Sequence, residues 1–118
     1  MKIAIGFRGT LVPKDITKDI GSAYVLKRLV REGHFLGLDY GMSEEEKLEA
    51  VNWFLRNEIE LTYVQPEQNI PNYIINVRGI STPYIEQAVN FVQDIFIDWK
   101  TLELFLEKEN ILRKGYSI

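Results

Sequence analysis

The chain has 118 residues, 46% of them apolar, with 14 Lys and Arg against 17 Asp and Glu for a formal charge of −3, and it has no cysteine. This length predicts one domain over residues 1–118, with enough apolar surface to fold without staples. The missing cysteines exclude disulfide frameworks, thiolate zinc sites and cysteine nucleophiles. Acids and bases are interspersed and no basic stripe is present, so nucleic acid is not an expected partner. No apolar run approaches the ~20 residues of a membrane helix. The apolar start is too short for a secretion signal and is interrupted by Arg8, so a cytoplasmic protein with no membrane partner is expected.

Residues 2–7 carry Ile3 and Ile5 and end at the turn Arg8-Gly9-Thr10, which predicts a buried strand. From about Asp19 the apolar positions Ile20, Ala23, Leu26, Leu29 and Val30 take helical spacing, and Gly33 stops the helix. Residues 34–40 form the second expected strand. Ser43 and Glu46 then make a capping box. The helix it opens, running to about Asn57, is expected to turn Leu48, Val51, Phe54 and Leu55 inward.

Residues 59–64 read as a third strand, and 65–80 as irregular, with a short extra strand at 73–77. Thr82-Pro83 predicts a helix start. Ile85, Ala88, Val89 and Val92 would be its core face. A last strand is expected at 94–98 and a final helix from about Thr101 to Glu109, with Leu102, Phe105 and Leu106 on one face. Strands separated by helices imply an α/β fold, a mainly parallel sheet covered by helices on both faces. Its ligands would sit beyond the strand carboxyl ends, at Phe7-Arg8, Asp39-Tyr40, Val64-Gln65 and Asp98-Trp99.

At those ends the chain resembles the haloacid dehalogenase superfamily. Residues 3–12 look like that family's first motif, an apolar strand followed by Asp-x-Asp-Gly-Thr. Gly9-Thr10 and Leu11-Val12 match, whereas Gly6 stands at the nucleophile position and Arg8 at the general-acid position. Tyr40 falls where the second motif has Ser or Thr. Residues 91–99 are similar to the third and fourth motifs: Asp98 matches the first acid of the pair, Trp99 replaces the second, and no lysine lies between Thr82 and Ile97, Asn90 being the nearest polar residue. The resemblance covers nearly the whole chain apart from 65–80 and the tail. It implies a three-layer, Rossmann-like domain of the compact, cap-less phosphatase type.

The departures have chemical consequences. Gly6 has no side chain with which to attack phosphorus. Arg8 keeps its proton at any working pH and cannot serve as an acid–base group. Of the carboxylates that hold magnesium in the family, only Asp98 remains, a weak metal candidate by itself. No catalytic residue and no cofactor are therefore expected. Two arrangements fit Arg8: it reaches Asp98 and replaces the metal as a tethered cation, or it faces solvent while Asp98 caps the following turn.

Lys100 either faces the same mouth or is a solvated lysine. Ser43 opens an anion site or, more simply, a plain cap. Tyr40 and Trp99 fill the former pocket or present an apolar surface to a partner. Tyr63, Tyr73 and Tyr84 would cover the sheet or form an interaction surface. His34, the only histidine, reads as structural.

Three functions follow. The first is a non-catalytic relative that binds a protein partner or its own copy. The second is a binder of phosphate or a phosphorylated metabolite at Arg8, Gly9, Tyr40, Asp98 and Lys100. The alternative is an active magnesium-dependent phosphohydrolase using another nucleophile, with Asp39 and Asp15 the acids nearest the site.

Overall fold

The structure is a computed structural model that describes residues 1–12, 20–39, 41–63, 70–77, 79–82, 92–93 and 96–113. Its elements are β1 (Lys2–Ile5), α1 (Ser22–Arg31), β2 (Phe35–Leu38), α2 (Glu44–Arg56), β3 (Tyr73–Asn76), β4 (Gly79–Ser81), β5 (Val92–Gln93), β6 (Phe96–Ile97) and α3 (Trp99–Lys108). The main sheet has the order β2-β1-β3-β4. β1 is parallel to both neighbours, pairing Ile3 with Leu36 and Tyr73, and Ile5 with Leu38 and Ile75. β4 returns antiparallel to β3, with Ile75 opposite Ile80. The result is a small α/β unit with a mixed, mainly parallel sheet.

β1 lies inside the sheet because both its edges are paired and its side chains are apolar: Ile3, Ala4 and Ile5 are fully buried. A near-continuous apolar run is the expected signature of such a parallel strand. Leu36, Leu38 and Ile75 flank it in the core, which Leu26, Leu29, Phe54, Leu102 and Leu106 complete from the helices. Ser22, the first residue of α1, is buried and donates its hydroxyl hydrogen to the Leu11 carbonyl at 2.6 Å, so its polarity is satisfied within the core.

The three helices among the described residues end in the same way. Gly33, Glu58 and Asn110 take left-handed conformations, and each following amide reaches back to the last turn: His34 to Leu29, Ile59 to Phe54, Ile111 to Leu106. These are Schellman closures, which satisfy carbonyls the helix itself leaves open. Ile59 and Ile111 are buried just beyond their helices, adding the apolar contact that usually accompanies the motif. His34 is structural, as expected: one ring nitrogen meets the Ile111 carbonyl at 2.7 Å and the other the Met1 amino group at 3.3 Å.

Several expectations are corrected. Of the third strand expected at 59–64, residues 59–63 show only an isolated parallel bridge from Tyr63 to Gly37 on the outer edge of β2, and Val64 lies outside the described residues. The short extra strand at 73–77 is instead β3, which pairs directly with β1. Within the last strand expected at 94–98, Phe96–Ile97 pairs antiparallel with Val92–Gln93 outside the main sheet, and the final helix starts at Trp99. Val92, expected on a helix, begins β5. The rest of the helix expected after Thr82 falls outside the described residues.

On α2, Leu48 is 64% and Leu55 71% exposed, while Ala50, Trp53 and Phe54 face the core. Phe54 and, in part, Val51 face inward as expected, whereas Leu48 and Leu55 do not, so the helix is turned part-way from the expected orientation. Burying the large Trp53 indole against Phe7 and Phe54 outweighs burying two leucines. Among the described residues, no helix is long and apolar enough to cross a membrane.

Candidate functional site at the carboxyl ends of the strands

The chain leaves β1 through Gly6, whose amide donates to the Ile75 carbonyl at 2.8 Å. On the other side, the Asp39 amide donates to Ile5 at 3.0 Å, so the exits of β1, β2 and β3 lie side by side. Residues 7–12 then wind into a tight turn in which the Phe7 carbonyl accepts from the amides of Thr10, Leu11 and Val12. Gly9, at φ 79, takes the left-handed conformation this turn needs.

The turn is docked onto the start of α3. The Gly9 carbonyl accepts from the Ile97 amide at 3.2 Å, and the Thr10 carbonyl accepts from the Trp99 indole N–H. The segment holding Gly6, Arg8 and Gly9 and the segment holding Asp98 and Trp99 are thus neighbours, although Phe96–Ile97 is not a strand of the main sheet.

Position 6 is also closely surrounded. A β-carbon there would stand 3.0 Å from Thr10 Oγ1 and 3.6 Å from the Asn76 α-carbon. Asn76 at the end of β3 therefore borders the bare α-carbon of Gly6. The sequence reading did not include it, because β3 was expected to be peripheral.

Arg8 does not replace a metal beside Asp98. Its guanidinium bonds to Glu49 of α2 at 2.7 Å, and its amide faces Glu46 at 3.4 Å. The pair is open to water, with side-chain exposures of 52% and 32%. The hydrogen bond to Glu49, and then that carboxylate's charge, raise the Arg8 pKa above its ordinary value; Glu46 and Glu45 add to the effect. The surroundings of Arg8 are acidic, and an incoming anion would meet those carboxylates.

Glu49 is the second residue the sequence reading missed, although its position was legible. Glu46, Glu49 and Trp53 follow one another at helical spacing, and Trp53 packs edge-on against Phe7. The face of α2 that buries Trp53 thus also presents Glu46 and Glu49 to the β1 turn.

Asp98 is the N-cap of α3. Its Oδ1 accepts from the amides of Lys100 and Thr101 at 3.2 and 3.4 Å, and its Oδ2 from the Thr101 hydroxyl at 2.8 Å. Those bonds direct both oxygens toward the first turn of the helix. Lys100 is exposed and its amide joins this cap. Trp99 is 1% exposed and fills space in the core. Tyr40, Tyr84, Asp15 and Asn90 lie outside the described residues.

Ser43 is a plain cap, accepting from the Glu46 amide at 3.1 Å. The Glu46 carboxylate lies at the Arg8 amide, so the capping box has its serine half closed while its acid half serves the β1 turn.

Magnesium, which the resemblance implies, does not fit these donors. Among the described residues no group of three or more His, Asp or Glu side chains could hold a metal. Asp98, the one carboxylate that the resemblance would supply, caps α3.

Comparison with protein-family models, curated proteins and solved structures returns no match for this chain.

Proposed function

We propose that this chain is a non-catalytic, haloacid-dehalogenase-like domain of the three-layer, cap-less type that acts by binding another protein or its own copy. The observation that carries this reading is the exit of β1. There Gly6 offers no nucleophile, and Arg8, at the acid–base position, is held by Glu49. Asp98, the one magnesium ligand the resemblance leaves, uses both oxygens in the α3 cap, and a single carboxylate is a weak metal site.

Binding by contact is supported by α2. Leu48 and Leu55, seven residues apart and both exposed, lie on one side of the helix. A phosphate cradle at Arg8 and Gly9 has weaker support, because Glu45, Glu46 and Glu49 supply negative charge there.

The test has two arms. With magnesium and an aryl phosphate or acetyl phosphate, the protein should show no turnover and no phosphorylated aspartate by mass spectrometry. Either one would overturn the reading and return attention to Asp39. In the second arm, light scattering across a concentration series and capture of a partner should both be weakened by Leu48→Lys/Leu55→Lys. A protein that stays monomeric and captures the same set of partners with or without the substitutions would remove the binding half of the proposal.

A further inference from the structure

A second candidate site lies at the opposite end of the sheet, where α1 finishes and β2 begins. A cleft of about 330 Å³ is lined there by Arg28, Arg31, Glu32, Gly33 and Arg113. Three of these five residues are arginines, in a protein whose overall charge is −3.

Arg28 is the fixed part of the wall. Its side chain is 7% exposed, and the guanidinium bonds to Glu103 at 2.7 Å, Glu107 at 3.1 Å and the Arg113 carbonyl at 3.1 Å. These bonds occupy three of its five N–H donors, leaving the Nε–H and one Nη2 hydrogen without a partner among the described residues. Burial opposes the charge, but the bonds to the two glutamates more than offset it, so Arg28 stays ionised.

Arg31 and Arg113 differ from Arg28. Both are exposed, and neither guanidinium has a carboxylate partner among the described residues. Among the described residues of the lining, Glu32 supplies the acid. Its Oε1 accepts from the Arg113 amide at 2.8 Å, which fixes the carboxylate and leaves Oε2 to accept another donor.

We propose that this cleft binds a small phosphate monoester that also carries an amino or hydroxyl group. The guanidinium forks of Arg31 and Arg113 take the phosphate, with the spare Arg28 donors behind them. Glu32 takes the ligand's own donor. The carboxyl end of α1 points a negative dipole at this region and works against an anion. Two uncommitted full charges, held within one cleft, outweigh that partial charge.

The experiment is an amide-resolved NMR titration of the full chain with O-phosphoserine, with methyl phosphate and with inorganic phosphate. O-Phosphoserine should move the Glu32, Gly33 and Arg113 amides saturably, and methyl phosphate and inorganic phosphate should bind more weakly at the same place. Arg31→Ala/Arg113→Ala, both at exposed positions, should weaken binding about tenfold or more. Glu32→Gln should narrow the gap between O-phosphoserine and methyl phosphate. No saturable shift up to about 10 mM, or equal binding in the double variant, would overturn the proposal. So would shifts centred on Gly9 and Thr10, which would place the anion at the strand exits. None of these results depends on whether the domain is catalytic or what protein it binds.

Discussion

The indole N–H of Trp99 donates to the carbonyl of Thr10, a contact between residues 89 positions apart. It fastens the β1 turn to the first turn of α3 inside the core, where Trp99 is 1% exposed. Trp99→Phe keeps most of the ring's packing but leaves the Thr10 carbonyl without its donor. The expected loss is about 1–3 kcal/mol of unfolding free energy. Trp99→Ala adds a cavity and should cost about 3–5 kcal/mol. Urea denaturation of both variants checks the ranking.

Asp98 offers a test of cap against metal ligand. Asn is as good an N-cap as Asp, so Asp98→Asn should leave stability nearly unchanged. Asp98→Ala removes the acceptor for Lys100 and Thr101 and should cost about 0.5–2 kcal/mol. A large loss in Asp98→Asn, or a magnesium-dependent rise in melting temperature abolished by it, would show that the carboxylate charge does something besides capping.

Gly37 lies directly beneath the Tyr63 ring: a β-carbon there would clash with the ring's Cε2. Gly37→Ala should therefore displace the ring and cost about 1–3 kcal/mol by overpacking. Pairing it with Tyr63→Leu should recover part of that loss. The double-mutant cycle reports the coupling, and strict additivity would show that the two positions do not touch.

Arg28 and its glutamates join α1 to α3. Glu103→Gln/Glu107→Gln leaves a buried guanidinium without a counter-charge and should cost about 3 kcal/mol, the low end for a broken buried pair, because the carboxylates keep some exposure. Replacing the whole cluster by Arg28→Met/Glu103→Leu/Glu107→Leu should cost less than the double variant.

The same cluster has a pH signature. The Arg28 pKa is raised in the fold, so its contribution is complete below the unfolded-state value and is lost only as pH climbs through the folded-state value, in strongly alkaline solution. The stability difference between wild type and the apolar triple variant should stay flat from about pH 7 to pH 10. Denaturant midpoints across that range check it.

The parts of the fold that local chemistry determines were legible from the residues. The switch from paired isoleucines at 3 and 5 to helical spacing after Ile20 marks β1 and α1. Gly33 marks the end of α1, and Ser43 with Glu46 the start of α2. What the residues do not encode locally is which strand lies beside which. Tyr73 to Asn76 looked peripheral because Pro71 and Gly79 bracket it, yet it provides one of the two neighbours of β1. The apolar run ending at Asp98 looked like a strand of the main sheet, but its Phe96–Ile97 part pairs with Val92–Gln93 and yields at once to α3.

The site follows the same division. That the β1 turn lies near Asp98 and Trp99 was expected, but it comes about through the docking of that turn on α3 and not through a shared sheet. The partner of Arg8 was not, because it is set by the rotation of α2, and that rotation depends on where Trp53 finds room.

The position of β1 between two parallel neighbours has a kinetic consequence. As this chain is synthesised, β1 cannot complete either edge by a local hairpin: it must wait for Phe35–Leu38 on one side and for Tyr73–Asn76 on the other. Until Tyr73–Asn76 has been synthesised, some seventy residues later, a sticky isoleucine-bearing segment stays without its second mate. Such late, long-range pairing slows folding and leaves nascent chains prone to clumping. Expression yield should therefore respond to chaperone supply and growth temperature more than the modest size of this domain suggests.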